Sequence, residues 1–176
     1  MANRQALREL QSRLAERLLA ARTKGVSASW LAVEAGDGRY LFPLGQSGEI
    51  FPWNSPQPVP YTQDWFVGVA NLRGGLFGIV DLGRYLGRAG TATRGERSAN
   101  EARFVALNAA IDVNCALLVD RLSGLRNAEA FSEFTEPESG SPAFFGHRYV
   151  DLQGKVWQEI NLQQLAQQAH FLTIGA

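Results

Sequence analysis

Two histidines, one cysteine, a glycine-rich cluster and a group of glutamates are the residues of this 176-residue chain that suggest chemistry beyond packing. Histidine is the usual general base at neutral pH and a common metal ligand. Neither His147 nor His170 has a cysteine or a second histidine at ligand spacing. Cys115 stands in an apolar strand-like run, where a thiol behaves as a small buried hydrophobe rather than a nucleophile. The cluster Arg73-Gly74-Gly75-Leu76-Phe77-Gly78 is no phosphate cradle. A P-loop requires a lysine followed by serine or threonine at a helix start, and a dinucleotide fingerprint requires its glycines between strand and helix. Here the glycines form a β-turn. Glu133, Glu136 and Glu138 occupy a serine- and proline-containing loop without an acid or base of contrasting environment, which fits a solvated surface. The sequence is read as having no catalytic residue, no metal ligand and no cofactor.

The bulk composition narrows the class further. With 45% hydrophobic, 19% charged and 10% aromatic residues, the chain is globular rather than disordered. Its 17 basic and 17 acidic residues cancel, so no global field attracts nucleic acid or anionic membrane. A lone cysteine rules out an internal disulfide framework and fits a reducing compartment, the cytoplasm. Arg4, Arg8, Arg13 and Arg17 interrupt the first twenty residues, and no later window reaches the ~20 apolar residues of a membrane-spanning helix. A soluble cytoplasmic protein without direct membrane insertion is expected.

In residues 3–22, Leu7, Leu10, Leu14 and Leu18 recur every three or four positions among arginine and glutamate, predicting an amphipathic helix that Gly25 closes. It is expected to pack on the body of the protein, because each fully buried leucine contributes about 1.5–3 kcal/mol before the entropy of ordering. From Trp30 the period changes to that of strands. Residues 30–35 and 39–44 flank the turn Gly36-Asp37-Gly38. The proline-rich segment 51–60 reads as a loop, because proline donates no ladder hydrogen bond. Residues 65–72 and 76–80 make a second hairpin around Arg73-Gly74-Gly75, and Asp81 caps a short helix that Gly87 ends. Residues 88–102 read as a linker.

The second half repeats this grammar. Residues 103–108 and 115–119 match the first two strands, and the acidic loop 133–141 replaces the proline loop. Phe144-Phe145-Gly146 follows Phe66-Val67-Gly68, Gln153-Gly154 follows Arg73-Gly74, and Asn161 starts a final helix as Asp81 does. Short strands with glycine and proline at the corners suit small closed barrels, which remove exposed sheet edges. The fold is therefore expected to be mainly β, with a helix over 1–25, one barrel over 26–87, a linker over 88–102, a second barrel over 103–160 and a helix over 161–170. Alternation places Leu31, Val33, Tyr40, Phe42, Phe104, Ala106, Leu117 and Val119 in the core.

The stretch Asp64-Trp65-Phe66-Val67-Gly68-Val69-Ala70-Asn71-Leu72-Arg73-Gly74 is preceded by Val59-Pro60-Tyr61-Thr62-Gln63 and followed by Ile79-Val80-Asp81-Leu82. Together they resemble the signature of bacterial chemotaxis coupling proteins, the CheW-like family, and Glu49-Ile50 and Leu118-Val119-Asp120 support the match. It covers residues 30–166. The amino-terminal helix, Arg39-Tyr40-Leu41-Phe42-Pro43-Leu44 and Gly48-Glu49-Ile50-Phe51-Pro52 look most like the PilI-type coupling proteins of type IV pilus twitching systems. Departures from the family pattern are Gly78, where proline is common, Ser47-Gly48, where a bulkier apolar residue is usual, and the Asn161-Leu162-Gln163-Gln164-Leu165 version of the closing helix.

The resemblance implies two SH3-like five-stranded barrels and a non-enzymatic adaptor. One barrel would dock on the regulatory domain of a CheA-type histidine kinase, and the groove between barrels would receive the cytoplasmic tip of a methyl-accepting chemoreceptor, recruiting the protein to membrane-associated arrays. Glu49, Val69, Asn71, Leu72, Arg73 and Gly74 are the candidate contacts, with Arg73 as the coupling arginine. The output would be twitching or, alternatively, flagellar motility. Two other classes compete. A nucleic-acid-binding small barrel usually has a clustered basic face, which the charge balance disfavours. An enzyme with an unrecognised site would need convergent titratable groups, and few are present.

Overall fold

The computed structural model describes residues 12–13, 30–88 and 96–176. The amphipathic segment 3–22 lies outside the described residues except for Ser12 and Arg13, which are helical and exposed. The strands are β1 (Trp30–Ala35), β2 (Gly38–Pro43), β3 (Ser47–Pro52), β4 (Phe66–Leu72), β5 (Gly75–Asp81), β6 (Arg103–Leu107), β7 (Cys115–Val119), β8 (Arg121–Arg126), β9 (Phe131–Thr135), β10 (Phe145–Asp151) and β11 (Val156–Ile160). Four short helices are described: α1 (Leu82–Tyr85), α2 (Glu96–Glu101), α3 (Leu162–Ala166) and α4 (Ala169–Leu172).

One sheet has the order β3-β6-β7-β5-β4 and the other β8-β1-β2-β11-β10-β9. The mainly β fold with two small barrels agrees with expectation, but the sheets do not divide at residues 88–102. Strands β3 to β7 form the five-stranded barrel as one continuous stretch, inserted between β2 and β8 of the other. The presumed linker therefore falls inside the five-stranded barrel, and residues 96–101 of it form α2. Only two backbone passages join the barrels among the described residues, and each is pinned. At the first, the Gln46 carbonyl accepts from Asn108 N at 2.9 Å while its Oε1 accepts from Leu162 N at 2.7 Å. At the second, Asp120 N donates to the Glu34 carbonyl at 2.8 Å and its Oδ2 accepts from Gly36 N at 2.7 Å.

Strands β1, β2, β6 and β7 are covered on both faces, which explains their nearly unbroken apolar sequences. Leu31, Val33, Tyr40, Phe42, Val105, Leu107, Leu117 and Val119 share one core between the barrels. Phe104, Ala106, Ala116 and Leu118 point instead into the five-stranded barrel with Leu72 and Ile79. Trp30, Ala32, Leu41 and Trp157 fill the six-stranded one. All eight core residues expected from alternation are buried, six in the shared core and two in a barrel interior.

Three local expectations are corrected. The proline-rich loop begins inside a strand, because β3 is an edge strand whose last residue, Pro52, ends its pairing with β6. The acidic loop likewise begins as β9, so the six-stranded sheet has one strand more than five. Beside β4 in the other barrel, prolines on both sides of Gln57 limit pairing to a single bridge, Gln57 to Val69. The final helix is two short pieces, α3 and α4. Asp81 and Asn161 cap α1 and α3 as expected, each side chain accepting from the amide three residues on.

In the six-stranded barrel, Asp151 is 7% exposed and accepts from Trp157 Nε1 at 3.0 Å and from the amides of Gln153 and Lys155 at 2.9 Å each. Burial alone would raise its pKa. The three hydrogen bonds, helped by the Lys155 charge, outweigh it and hold the carboxyl below its ordinary value.

Two outcomes follow. Fragments made by cutting the chain between residues 89 and 95 should each fail to melt cooperatively alone and should reassemble when mixed, read by circular dichroism and gel filtration. A cooperative melt of the first fragment alone would contradict the inserted topology. Asp151→Asn should cost about 1–3 kcal/mol at pH 7, because a new amide donor faces the donors that the carboxylate served. A depressed folded pKa stabilises above the ordinary carboxylate pKa of about 3.9, and that stability is lost as pH falls through the folded value. Denaturant titrations at acid and neutral pH should therefore show a smaller acid loss in the variant.

Candidate partner-binding surface

The six candidate contacts lie together around one hairpin tip, with different duties. Leu72 is 3% exposed and packs inside the five-stranded barrel. Val69, half-buried, is tied to Gln57 through both its backbone groups, at 2.7 and 2.9 Å. Asn71 is exposed, yet its Oδ1 accepts from Gly74 N at 3.0 Å and so braces the turn. These three set the hairpin. Arg73 and Gly74 form the tip itself, and Glu49 reaches it from the edge strand β3, at the far side of the sheet from β4.

Leu72 pairs with Gly75, so Arg73-Gly74 is a two-residue hairpin loop. Its φ angles are 48° at Arg73 and 78° at Gly74, both left-handed, as in the type I′ turn that matches strand twist. Gly74 adopts this conformation freely; Arg73 does not. A non-glycine residue there costs about 1–2 kcal/mol, and asparagine or glycine is the usual occupant.

No acid adjoins Arg73 in the chain, but Glu49, one of the acids that a bracing Arg73 could be expected to reach, is brought to it by the fold. Its Nη2 lies 2.5 Å from Glu49 Oε1. With the side chains 77% and 42% exposed, this ion pair contributes at most about 1 kcal/mol. It does not outweigh the strain, so stability alone does not explain an arginine at this position. Alternation along β4 and β5 also leaves Leu76 beside the tip, opposite Asn71 and 63% exposed. Sequence reasoning missed it, although its place one step beyond Gly75 was the available signal.

Two departures from the family pattern acquire physical reasons here. A side chain at Gly48 would meet the Leu107 carbonyl at 2.8 Å, so the glycine lets β3 approach β6. Gly78 donates its N–H to the Asn114 carbonyl at 3.0 Å, a bond that proline cannot make.

The remaining chemically suggestive residues are occupied with packing. Cys115 is buried, and burial pushes its thiol up to about 12. His170 stacks on Tyr85 at 5.4 Å, and His147 meets the edge of Phe134 at 5.5 Å. Glu138 pairs with Arg148 at 2.8 Å on the surface. Among the described residues no group of three histidine, cysteine or acidic side chains is arranged to hold a metal ion. None of the described helices is long and apolar enough to cross a membrane.

Two fused barrels, with an arginine held in a left-handed conformation at one hairpin tip, are the frame in which the comparisons with known proteins stand. The sequence pattern of the CheW-like domain matches residues 29–170, and the chain belongs to that family of coupling adaptors in chemosensory signalling. Its members are scaffolds rather than enzymes. Among curated relatives, Protein PilI of Pseudomonas aeruginosa is 29% identical over 165 residues, covering 93% of this chain and 89% of that protein. The crystal structure of the scaffolding protein TtCheW from Thermoanaerobacter tengcongensis superposes with a TM-score of 0.64 at 15% identity, covering 85% of this chain and 98% of that one. That match shows the shared fold.

Replacing Arg73 by asparagine, which tolerates the left-handed turn, should leave stability unchanged or raise it by up to about 1 kcal/mol. Chemical denaturation of the two proteins measures this; a loss above that size would make Arg73 a structural brace.

Proposed function

We propose that the chain couples the cytoplasmic tip of a methyl-accepting chemoreceptor to the regulatory domain of a CheA-type histidine kinase, in a pathway that controls type IV pilus twitching motility. Family membership and the similarity to Protein PilI support this reading. The observation that carries the site is Arg73, held in a strained conformation that its exposed ion pair does not repay. Its planar guanidinium has donors to spare beyond Glu49 and suits a carboxylate or backbone carbonyls on a partner. In this reading Arg73, Gly74 and Glu49 touch the partner, Leu76 adds apolar area, and Val69, Asn71 and Leu72 fix the tip. The protein works in the cytoplasm, at receptor arrays.

Such a contact must exchange as arrays assemble, so its interface should be of modest area. Calorimetry with the purified kinase regulatory domain should show saturable binding, and its absence would remove the adaptor reading. Arg73→Asn should keep the melting temperature while receptor control of the kinase, and twitching in a strain that carries it, fall sharply. Full coupling in that variant would refute the assignment of Arg73, and a defect in swimming with normal twitching would redirect the output to flagella.

A further inference from the structure

A bulge in β10 builds a half-buried notch in the six-stranded barrel. Phe145 pairs with Ile160 and Arg148 with Gln158, so Gly146 and His147 together face Glu159. A bulge of this kind re-aims the side chains around it. Because Gly146 has no side chain, the Glu159 carboxylate lies against its backbone; a methyl group there would meet Oε1. Glu159 Oε2 accepts from Trp30 Nε1 at 2.5 Å, and Trp30 is 3% exposed. The carboxylate is thereby fixed from two sides. Rings adjoin it. Tyr149 lies 4.9 Å from Trp30 and 5.9 Å from Phe134 between centroids, and His147 meets Phe134 at 5.5 Å. Burial and then the Glu159 charge hold the Tyr149 phenol above its ordinary pKa, so carboxylate and phenol share one environment.

This carboxylate is fixed but not neutralised. Among the described residues no lysine, arginine or histidine forms an ion pair with Glu159. The basic groups nearby are engaged elsewhere. Arg148 pairs with Glu138 at 2.8 Å, and Arg126 lies over the Trp157 ring at 5.6 Å and donates to the Ser123 carbonyl at 3.2 Å. Lys155 stands beside Asp151, at the other end of the hairpin. Residues 126–160 carry six acidic side chains against three lysines and arginines, so the surroundings also attract a cation. Phe134 extends the rings to β9, the last strand of its sheet, and is 63% exposed. An unpaired strand edge offers hydrogen bonds to an extended chain, which points to a protein segment rather than a free metabolite.

We propose that the notch formed by Glu159, Tyr149 and Phe134 receives a basic side chain of a partner protein, arginine in preference to lysine. The guanidinium pairs with Glu159 Oε1 while its flat face lies on the rings, a combination that the compact ammonium of lysine matches less well. The notch is on the other barrel from the Arg73 hairpin, and the inference does not depend on what that hairpin binds.

The test uses the full chain, nitrogen-15 labelled, and the acetylated, amidated pentapeptide Thr-Val-Arg-Val-Thr. In the control peptide citrulline replaces arginine, which removes the charge and keeps the shape. The reporter is the Trp30 indole N–H signal, because that group donates to Glu159. The arginine peptide should shift it and the amides of residues 146–149 saturably, while the Arg73 hairpin signals stay in place. The Kd should be on the order of millimolar, as one ion pair with a ring contact supplies. Citrulline in the peptide, or Glu159→Gln in the protein, should each weaken binding by about tenfold or more. An unmoved Trp30 signal, equal binding of the citrulline peptide, or undiminished binding by a folded Glu159→Gln variant would overturn the proposal. The two peptides are compared on the unaltered protein, so the result stands even where the variant does not fold. Arginine methyl ester binding as tightly as the peptide would also overturn it, in favour of a site for a small cation.

Discussion

Four strands of this protein must be covered on both faces, and most of the architecture follows from that demand. β1 and β2 present one set of side chains to the six-stranded barrel and the alternate set to the shared core; β6 and β7 do the same on the other side. A strand with two apolar faces has no stable solvent-facing state, so neither barrel is a satisfactory unit without the other. Each large side chain in the shared core contributes about 1.5–3 kcal/mol by burial, which puts the join between the barrels among the strongest parts of the molecule. The insertion of one barrel into the other is the covalent counterpart of that shared core.

With the interior so constrained, variation falls to the hairpin tips, and the two corresponding tips diverge. In the six-stranded barrel the turn is organised from within by a buried carboxylate, Asp151, which holds Trp157 and two amides. The Arg126 guanidinium lies 5.6 Å above the same indole ring. In the five-stranded barrel the brace is the neutral Asn71, and the charge is moved outward onto Arg73. One hairpin uses its polar groups for itself; the other turns them toward solvent at a cost in backbone strain.

Much of this was legible in the sequence, and the limits have physical causes. Strands with strong alternation or continuous apolar character, such as β1, β2, β6 and β7, read correctly because burial dictates their composition. Asp81 and Asn161 were recognisable as caps because their chemistry is local. Edge strands β3 and β9 were not, since a strand paired on one side tolerates proline, glycine and glutamate and so resembles a loop. The insertion of one barrel in the other was invisible because an internal repeat says which segments are alike, not which of them pair. The candidate contacts were all near one tip, but their separation into braces and displayed groups needed geometry. Glu49 and Arg73 are far apart in the chain, and only the closing of the barrel brings them together.

The pinned passages at Gln46 and Asp120 also decide how the molecule behaves under load. Gln46 is bonded to groups of both barrels, Asp120 is fastened to the end of β1, and the core between them is continuous, so the described residues hold the two barrels firmly against each other. Two objects held by opposite barrels are then kept at a set separation and orientation, as by a ruler rather than a tether. A lattice assembled from such pieces inherits its repeat distance from the dimensions of the piece.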